Sequence, residues 1–310
     1  MISMLENTIS IIAENNYHCL MCLPNVIGVG LGDKYINGVN TGRPCLHVLV
    51  SKKVPDCCLN CRCRIPKCYM GIETDVQEVG QFSHLSYKGR KRPLEGGYSI
   101  APDGTNIFGT LSCIVVRHHT VGSKDYFALG NNHILAGYNT LKIGTEITQP
   151  ASADGGVPIR DTIGKLAEFV KLEFSSTLRS PKNYVDAALV KLSSSSLASD
   201  KLADGSVLKG YASGSKGQSV KKIGRTTGVT SGSIKTTNAT IKVHDAGQRP
   251  ILYAKQLIVN ISVSPGDSGA ILLNSDNKAL GLLCAGSSKN AVFNDFSQVL
   301  KLTKTILYTE

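Results

Sequence analysis

Short apolar runs separated by polar turns dominate the C-terminal two-thirds of this chain. Val, Ile, Leu and Thr cluster in these runs, Gly, Asn and Ser separate them, and helical spacing is scarce. Runs of this kind are typical of the strands in a many-stranded β barrel. The pattern therefore predicts a mainly β structure for residues 96–310.

The first 95 or so residues follow a different pattern. Apolar residues at three- to four-residue spacing predict a helix over Leu5–Asn15. Two apolar runs then predict strands at Val26–Leu31 and Leu46–Val50, and a cysteine-rich loop follows them. We expect a small α+β domain over residues 1–95.

The basic stretch Tyr87–Glu95 lacks any period and is typical of a linker between two domains. At 310 residues the chain is long enough for both domains to bury a sizeable core. A further helix is predicted near the C-terminus, over Phe296–Leu307. Neither a secretory signal nor an apolar run of about 18 residues is evident, so we expect a cytoplasmic protein that does not cross a membrane.

The run Ser264–Ala270, which reads Ser-Pro-Gly-Asp-Ser-Gly-Ala, carries the clearest chemical signal. A serine hydroxyl needs a base and a site for the oxyanion before it can act as a nucleophile. Gly266 can adopt the tight backbone that points its own N–H and that of Ser268 at one spot, which predicts an oxyanion hole. The alternative is an ordinary polar turn before the strand that begins at Ile271.

A base and a carboxylate with suitable surroundings lie upstream of Ser268. His133 follows an apolar run at a polar break, where the end of a strand would hold it. Asp186 lies in an otherwise apolar strand, and a buried carboxylate requires a partner such as an imidazole N–H. Asp154 and Asp161 are alternatives, but both lie among residues that shape turns. The sequence therefore predicts a triad of His133, Asp186 and Ser268.

These segments resemble the trypsin-like, chymotrypsin-fold serine peptidases of bacteria. The order His, Asp, Ser along the chain is that of their triad, and Asn131-Asn132-His133 is similar to the histidine segment of HtrA-like members. Gly224–Gly232 resembles the strand before the nucleophile, and Gly281–Gly286 resembles the strand that lines the substrate backbone. The resemblance implies a trypsin-like fold of two β-barrel halves, over about 96–205 and 206–310.

The first part of the chain resembles the short α/β segment that precedes the trypsin-like domain in some bacterial proteins. The residues that carry this likeness are Asn25–Gly32, Val48–Pro55 and Gly71–Val76. Together the resemblances imply a serine endopeptidase that acts on polypeptides and needs no cofactor for catalysis. In zymogens of this fold a new N-terminus pairs with the Asp before the nucleophile. No such activation sequence is visible here, so Asp267 must have another partner and the enzyme is expected to be competent as synthesised.

The resemblance also implies where a substrate side chain would bind. The floor of that pocket lies six residues before the nucleophile, at Ser262. The opposite wall is implied at Cys284, Ala285, Gly286 and Phe293. A neutral floor predicts a preference for medium or large apolar side chains over Lys and Arg. Asp295 is the alternative determinant, because it would favour a cation if it reached the pocket.

Eight of the ten cysteines lie before residue 70. Two pairs have the spacing of zinc ligands, and a structural zinc site needs four such ligands. The predicted ligands are Cys19, Cys22, Cys58 and Cys61. The alternatives are reduced thiols in a loop or, less favoured in a cytosolic chain, a disulfide framework.

The net charge of +11 raises nucleic-acid binding as an alternative function. Lys and Arg are scattered, however, aromatic residues make up only 6% of the chain, and no nucleic-acid module is recognisable, so this function is disfavoured. An inactive binding protein on the same fold is the stronger alternative. The presence of all three triad residues and of Gly266 argues against it.

Overall fold

The computed structural model describes residues 3–55, 58–60, 63–80, 87–119, 122–245, 247–287 and 289–309. The chain divides into two compact units, Met1–Ser83 and His84–Glu310. None of the helices within the described ranges has the length and apolarity that crossing a membrane requires.

The first unit packs two helices against a four-stranded sheet. Its elements are α1 Met4–Asn15, α2 His18–Met21, β1 Val26–Ile36, β2 Val39–Val50, β3 Cys68–Tyr69 and β4 Ile72–Glu78. The sheet order is β1-β2-β4-β3, with β2 and β4 parallel. Helix α1 begins with a capping box, in which Ser3 and Glu6 satisfy each other's backbone N–H. Its buried Ile9 and Ile12 pack with Leu46 and Val48 of β2, so the helix exists because this apolar stripe meets the sheet.

The second unit is built almost entirely of strands. Its elements are β5 Ser99–Pro102, β6 Gly109–Thr110, β7 Ile114–His118, β8 Lys124–Gly130, α3 Asn132–Leu135, β9 Glu146–Thr148, β10 Thr162–Phe169, β11 Lys182–Asn183, β12 Ala188–Leu192, β13 Ser219–Gly224, β14 Gly228–His244, β15 Pro250–Asn260, β16 Ile271–Leu273, β17 Ala279–Gly286, β18 Ala291–Asp295, α4 Phe296–Thr303 and β19 Ile306–Leu307. The mainly β character predicted from the short apolar runs is confirmed.

These strands form two sheets, and each sheet curls back on itself. The second sheet has the order β11-β15-β14-β13-β16-β17-β18, and β18 also pairs with β15, which closes six strands into a barrel. The first has the order β19-β7-β8-β12-β10-β9-β5-β6. Just after β6, Ser112 N donates to Leu129 O on β8, and Leu129 N donates to Cys113 O, which closes the six strands from β8 to β6 into a second barrel. A shared apolar core, including Leu129 and Leu282, lies between the two sheets.

The C-terminal helix is shorter than predicted. It begins at Phe296 but ends at Thr303, because Lys304 adopts the left-handed conformation (φ 54°) and terminates the hydrogen-bonding pattern. Ile306 and Leu307 then pair with Val116 and Val115 of β7 instead of continuing the helix. The apolar residues that extended the predicted helix to Leu307 are therefore a strand.

The predicted boundary between residues 95 and 96 falls inside the second unit. Tyr87 N donates to Arg225 O, and Tyr87 O accepts from Ser99 N at 2.8 Å. Leu94 is completely buried, and its N–H donates to Leu197 O. The basic stretch Tyr87–Glu95 is thus packed by its backbone and by Leu94, whereas its charges alone led to its interpretation as a linker.

Candidate active site

His133 and Asp186 form a hydrogen-bonded pair. His133 Nδ1 lies 2.5 Å from Asp186 Oδ2, and His133 N donates to Asp186 Oδ1 at 3.1 Å. The aspartate side chain is 2% exposed and the histidine side chain 13%. Because a carboxylate only accepts, Nδ1 carries the proton and Nε2 keeps its lone pair. The pair therefore presents a basic nitrogen at the surface and keeps its anion inside.

His133 lies in the single turn α3, which follows directly on β8. Next to it, Asn131 Nδ2 donates to Asp186 O at 2.7 Å, and Asn132 Nδ2 donates to Val170 O at 2.7 Å. Both asparagines are buried. The two asparagines that interrupt the apolar run before His133 thus hold the turn in place by hydrogen bonds to the backbone of Asp186 and Val170.

The apolar residues around Asp186 predicted a strand, but Asp186 does not lie in one. It occupies the irregular segment 184–187 between β11 and β12. Its N–H donates to Asn294 Oδ1 at 2.7 Å, and its carbonyl accepts from Asn131. Side chains from both barrels therefore satisfy the backbone that a strand ladder would otherwise have used. This arrangement fixes the carboxylate at the junction of the barrels.

The groups around Asp186 are kept neutral. Burial raises the pKa of Tyr253 well above its usual value, and the nearby charge of Asp186 adds to this effect. Burial, followed by the same carboxylate, also raises the pKa of Cys284. The Tyr253 hydroxyl approaches Asp186 Oδ2 at 3.5 Å. Since Tyr253 and Cys284 keep their protons, the negative charge in this region lies on the Asp186 carboxylate, which contacts His133.

Ser268 lies on a turn built around two glycines with positive φ. Gly266 and Gly269 both have φ of 96°, which side chains rarely tolerate. A Cβ on Gly266 would also come within 2.9 Å of Phe108 Cε2. Within the described residues, neither Gly266 N nor Ser268 N donates a hydrogen bond, while the N–H groups of Asp267, Gly269 and Ala270 all do. The two N–H groups predicted to form an oxyanion hole are therefore uncommitted.

Strand β6 brings the serine turn to the histidine. Thr110 N donates to Ser268 O at 2.7 Å, and Thr110 Oγ1 donates to Gly266 O at 2.8 Å. A Cβ on Gly109 would lie 2.8 Å from Ile134 Cγ2, next to His133, and 3.1 Å from Ser268 O. Both segments thus lie close to Gly109. Ser268 Oγ has no hydrogen bond within the described residues, and in ligand-free active sites the bond to histidine often forms only when substrate binds.

The partner required by Asp267 is a lysine that the sequence analysis did not identify. Lys222 Nζ lies 3.4 Å from Asp267 Oδ2, and both side chains are fully buried. Asp267 Oδ1 accepts from the N–H groups of Thr226 and Thr227, at 2.9 and 3.0 Å. Ser264 N donates to Oδ2 at 3.0 Å. Alternate residues of a strand face the same side, and Val220 and Lys222 of β13 are both buried. This two-residue spacing from an apolar residue is the sequence signal that could have identified Lys222 as an inward-facing lysine.

The two rival aspartates have arginine partners. Asp154 accepts from Arg225 Nε at 2.8 Å, and Arg225 stacks over Phe108 with 4.1 Å between its Cζ and the ring centroid. The hydrogen bond from Arg160 lowers the pKa of Asp161, burial of the carboxylate raises it, and the hydrogen bond from Arg90 lowers it further. The arginines prevail, and the pKa is about 2. The structure therefore brings Asp186, and neither of the rivals, to His133.

A cavity of about 430 Å³ opens beside Ser268. Its lining residues are Val263, Ser264, Pro265, Ser268, Leu283, Ala285, Gly286 and Ser287. Ala285 and Gly286 thus lie where the sequence predicted. No charged side chain is among these lining residues, so the cavity is suited to a neutral group.

Four other residues assigned to this pocket lie elsewhere. Ser262 is exposed and lines a neighbouring cavity with Lys235 and Lys289. Cys284 is buried and donates to Val292 O, because its side chain points to the other face of β17. The remaining two are Phe293, which is packed in the core of the second barrel, and Asp295, which caps helix α4. The position of Ser262 was inferred by counting residues, and its neighbour Val263 lines the cavity instead.

The predicted zinc ligands are not gathered in the described part of the chain. Cys19, Cys22 and Cys58 are exposed, and Cys61 lies outside the described residues. The group of potential metal ligands found within the described residues contains none of them. A zinc ion at these four cysteines stays a prediction.

Comparisons with known proteins identify the fold. The sequence matches no family model and no curated protein. Protease A of Thermobifida fusca is similar in structure, with a TM-score of 0.50 and 18% identity over 70% of this chain and 98% of that one. The match to Nocardiopsis protease has a TM-score of 0.49 and 18% identity, over 69% of this chain and 98% of that one. The match to Cellulomonas bogoriensis chymotrypsin has a TM-score of 0.48 and 19% identity, over 70% of this chain and 98% of that one. The two curled sheets of the second unit and the likeness to protease A confirm the predicted two-barrel trypsin-like fold. The likeness of Asn131-Asn132-His133 to HtrA-like proteins stays a prediction.

Proposed function

We propose that this protein is a serine endopeptidase that hydrolyses peptide bonds in polypeptides. The observation that carries the proposal is the 2.5 Å contact between His133 Nδ1 and the buried Asp186 Oδ2, at the junction of the two barrels. Ser268 follows on a turn with two uncommitted N–H groups, and the solved proteins similar in structure are described as proteases. The buried carboxylate and the largely buried imidazole that it contacts support a catalytic role over a binding role.

Each triad residue has one role in the proposed reaction. His133 Nε2 takes the proton of Ser268 Oγ as that oxygen attacks the peptide carbonyl. The imidazolium that forms is stabilised by Asp186, which also holds the ring in the tautomer that leaves Nε2 basic. His133 then protonates the leaving amine, and a water molecule, activated in the same way, releases the acyl group from Ser268. No cofactor enters any of these steps.

The oxyanion would be held by Gly266 N and Ser268 N. Their directions are fixed before substrate arrives, because the turn is bonded to Thr110 and Asp267 is bonded to Thr226 and Thr227. Donors that need no rearrangement during reaction contribute most to catalysis, and losing one typically costs about 100–1000-fold in kcat.

Labelling by a fluorophosphonate probe, combined with peptide hydrolysis, tests the proposal. The probe reacts with a serine only when its hydroxyl is activated, so we expect one label per chain, located at Ser268 by peptide mass spectrometry. Ser268→Ala should abolish both labelling and hydrolysis. Ser275→Ala, an exposed turn serine, is the matched control and should leave both unchanged.

The triad should also act as one unit. We expect Ser268→Ala and His133→Ala each to lower kcat on the order of a millionfold, and the double variant to be hardly worse than either one. Folded wild-type protein that neither takes the label nor cleaves a mixed peptide library would contradict the proposal and favour an inactive binding protein.

A further inference from the structure

We propose that the sheet of the first unit carries a transition-metal site formed by Cys45, His47 and Asp75, suited to Zn²⁺. One ligand atom from each of these side chains lies within 4.8 Å of the others. Cys45 and His47 are two residues apart on β2 and so face the same side of the sheet. Asp75 is the register partner of His47 on the parallel strand β4. The site is independent of the proposed peptidase activity.

His47 is held with one ring nitrogen ready to bind a metal. Its Nε2 lies 2.7 Å from the carbonyl oxygen of Asp33, which can only accept a hydrogen bond, so Nε2 carries the proton. The lone pair is therefore on Nδ1. Metal-binding histidines almost always donate their second N–H in this way, because the bond fixes both tautomer and ring orientation. Gly32 lies against the ring, and any side chain there would overlap it.

Asp75 is oriented with one oxygen committed to the protein. Its Oδ2 accepts from Tyr35 N at 3.1 Å and from Gln77 Nε2 at 2.6 Å. Its Oδ1 faces Lys34 Nζ at 3.5 Å. Lys34 has other acceptors, since it donates to Thr74 O at 2.8 Å and lies 3.4 Å from Glu73. Oδ1 can therefore bind a cation while Lys34 keeps its remaining partners.

The mixture of donors identifies the kind of metal. A thiolate, an imidazole and a carboxylate match the ligands of zinc, whose sites with three protein ligands leave the fourth position to water. With bonds of about 2.0–2.3 Å, tetrahedral ligand atoms lie about 3.3–3.8 Å apart. Small side-chain rotations close the present spacing, and Cys45 loses its proton on binding. Three neutral or singly charged donors, one of them sulfur, are a poor set for Mg²⁺ or Ca²⁺, which select oxygen.

Titration of the full chain with Co²⁺, in the presence of a phosphine reductant, tests the site. The Ser268→Ala variant is used as the parent so that cleavage of the chain by itself cannot interfere. We expect this site to bind one Co²⁺, to give a thiolate-to-cobalt absorption band, and to release the cobalt when Zn²⁺ is added. Cys45→Ser should remove the band, and His47→Gln and Asp75→Asn should each weaken binding at least about 100-fold, because even outer partners of a metal site cost 10–100-fold.

A quadruple Ser variant at Cys19, Cys22, Cys58 and Cys61 is the matched control. We expect it to keep the band and the affinity, which separates this site from the zinc site predicted at those four cysteines. Loss of binding in the quadruple variant, unchanged binding in His47→Gln, or no Co²⁺ bound by the parent at millimolar concentration would each overturn the proposal. If Cys45→Ser does not fold, His47→Gln and Asp75→Asn still decide it, with the rise in melting temperature on adding Zn²⁺ as a second readout.

Discussion

Lys222 Nζ and Asp267 Oδ2 face each other at 3.4 Å in the interior of the second barrel, next to the proposed nucleophile. The ammonium also donates to Gly228 O at 3.0 Å and to Thr227 Oγ1. Burial lowers the pKa of Lys222, and the charge of Asp267 opposes that effect. Under the proposed function, this internal cation would take the place that a new N-terminus has in zymogens of this fold.

Replacing Lys222 by Met should therefore destabilise the protein and disturb the serine turn. Removing one partner of a buried ion pair costs roughly 3–5 kcal/mol. We also expect kcat to fall about 100–1000-fold, because the oxyanion donors flank Asp267. Urea denaturation and peptide hydrolysis at 25 °C measure the two effects. Lys221→Met is the control, since that lysine pairs with Asp204 nearer the surface and should matter by less than about 1 kcal/mol. A folded Lys222→Met protein with wild-type kcat would show that the pair does not position the turn.

Asp186→Asn should lower kcat by about 10⁴-fold, because the amide favours the wrong imidazole tautomer. We expect only a small loss of folding stability, since the bonds from Asn294 and Asn131 are made to the backbone of residue 186 and remain in the variant. Asp154→Asn is the comparison. It breaks a buried ion pair with Arg225, so we expect it to lower the free energy of unfolding while leaving the kcat of the folded protein nearly unchanged. If Asp154→Asn instead lowers kcat by the larger factor, the carboxylate of the triad has been assigned wrongly.

The neutral cavity beside Ser268 predicts cleavage after apolar residues. Val263, Pro265, Leu283 and Ala285 supply apolar contacts, so discrimination should follow buried area, at about 1–3 kcal/mol per methylene-scale difference. Val263→Ala should shift the preference toward larger side chains, because Val263 faces Gly286 closely across the cavity. Mass spectrometry of products from a peptide library measures both. Products that end mainly in Lys or Arg would contradict this prediction.

Asp161 predicts a loss of stability in acid. Its pKa is about 2 in the folded protein and about 3.9 in an unfolded chain, so its contribution is complete above pH 4 and is lost as the pH falls toward 2. We expect the contribution to be on the order of 1 kcal/mol, since its arginine partners are half exposed and screened by water. The difference in unfolding free energy between wild type and Asp161→Asn should therefore shrink over this range. A difference that stays constant from pH 5 to pH 2 would exclude this role.

Local signals in the sequence predicted much of the fold and of the candidate site. Turn-flanked apolar runs predicted the strands, and the glycines around Ser268 predicted a turn that their positive φ angles require. Asp186 was identified because a charge among apolar residues needs a partner. Each of these inferences depends only on a residue and its immediate neighbours.

Features made by distant segments could not be predicted in the same way. Lys222 meets Asp267 only because β13 pairs with β16, and Asp186 leaves the strand ladder only because Asn131 and Asn294 bond its backbone. The helix predicted to reach Leu307 ends early because β7 offers a better place for its last apolar residues. Ser262 was placed by counting residues, but it lies in the irregular segment after β15, where Val263 and not Ser262 lines the cavity beside Ser268.

Under the proposed function, the hairpin that carries Lys222 makes the protein active as soon as it folds. An enzyme activated by a cut in its chain can be stored inert and released on demand. Here, under the proposed function, the cation arrives with β13, so each molecule is ready to act from the moment the barrel closes. Heating should then abolish hydrolysis and tertiary structure over the same temperature range.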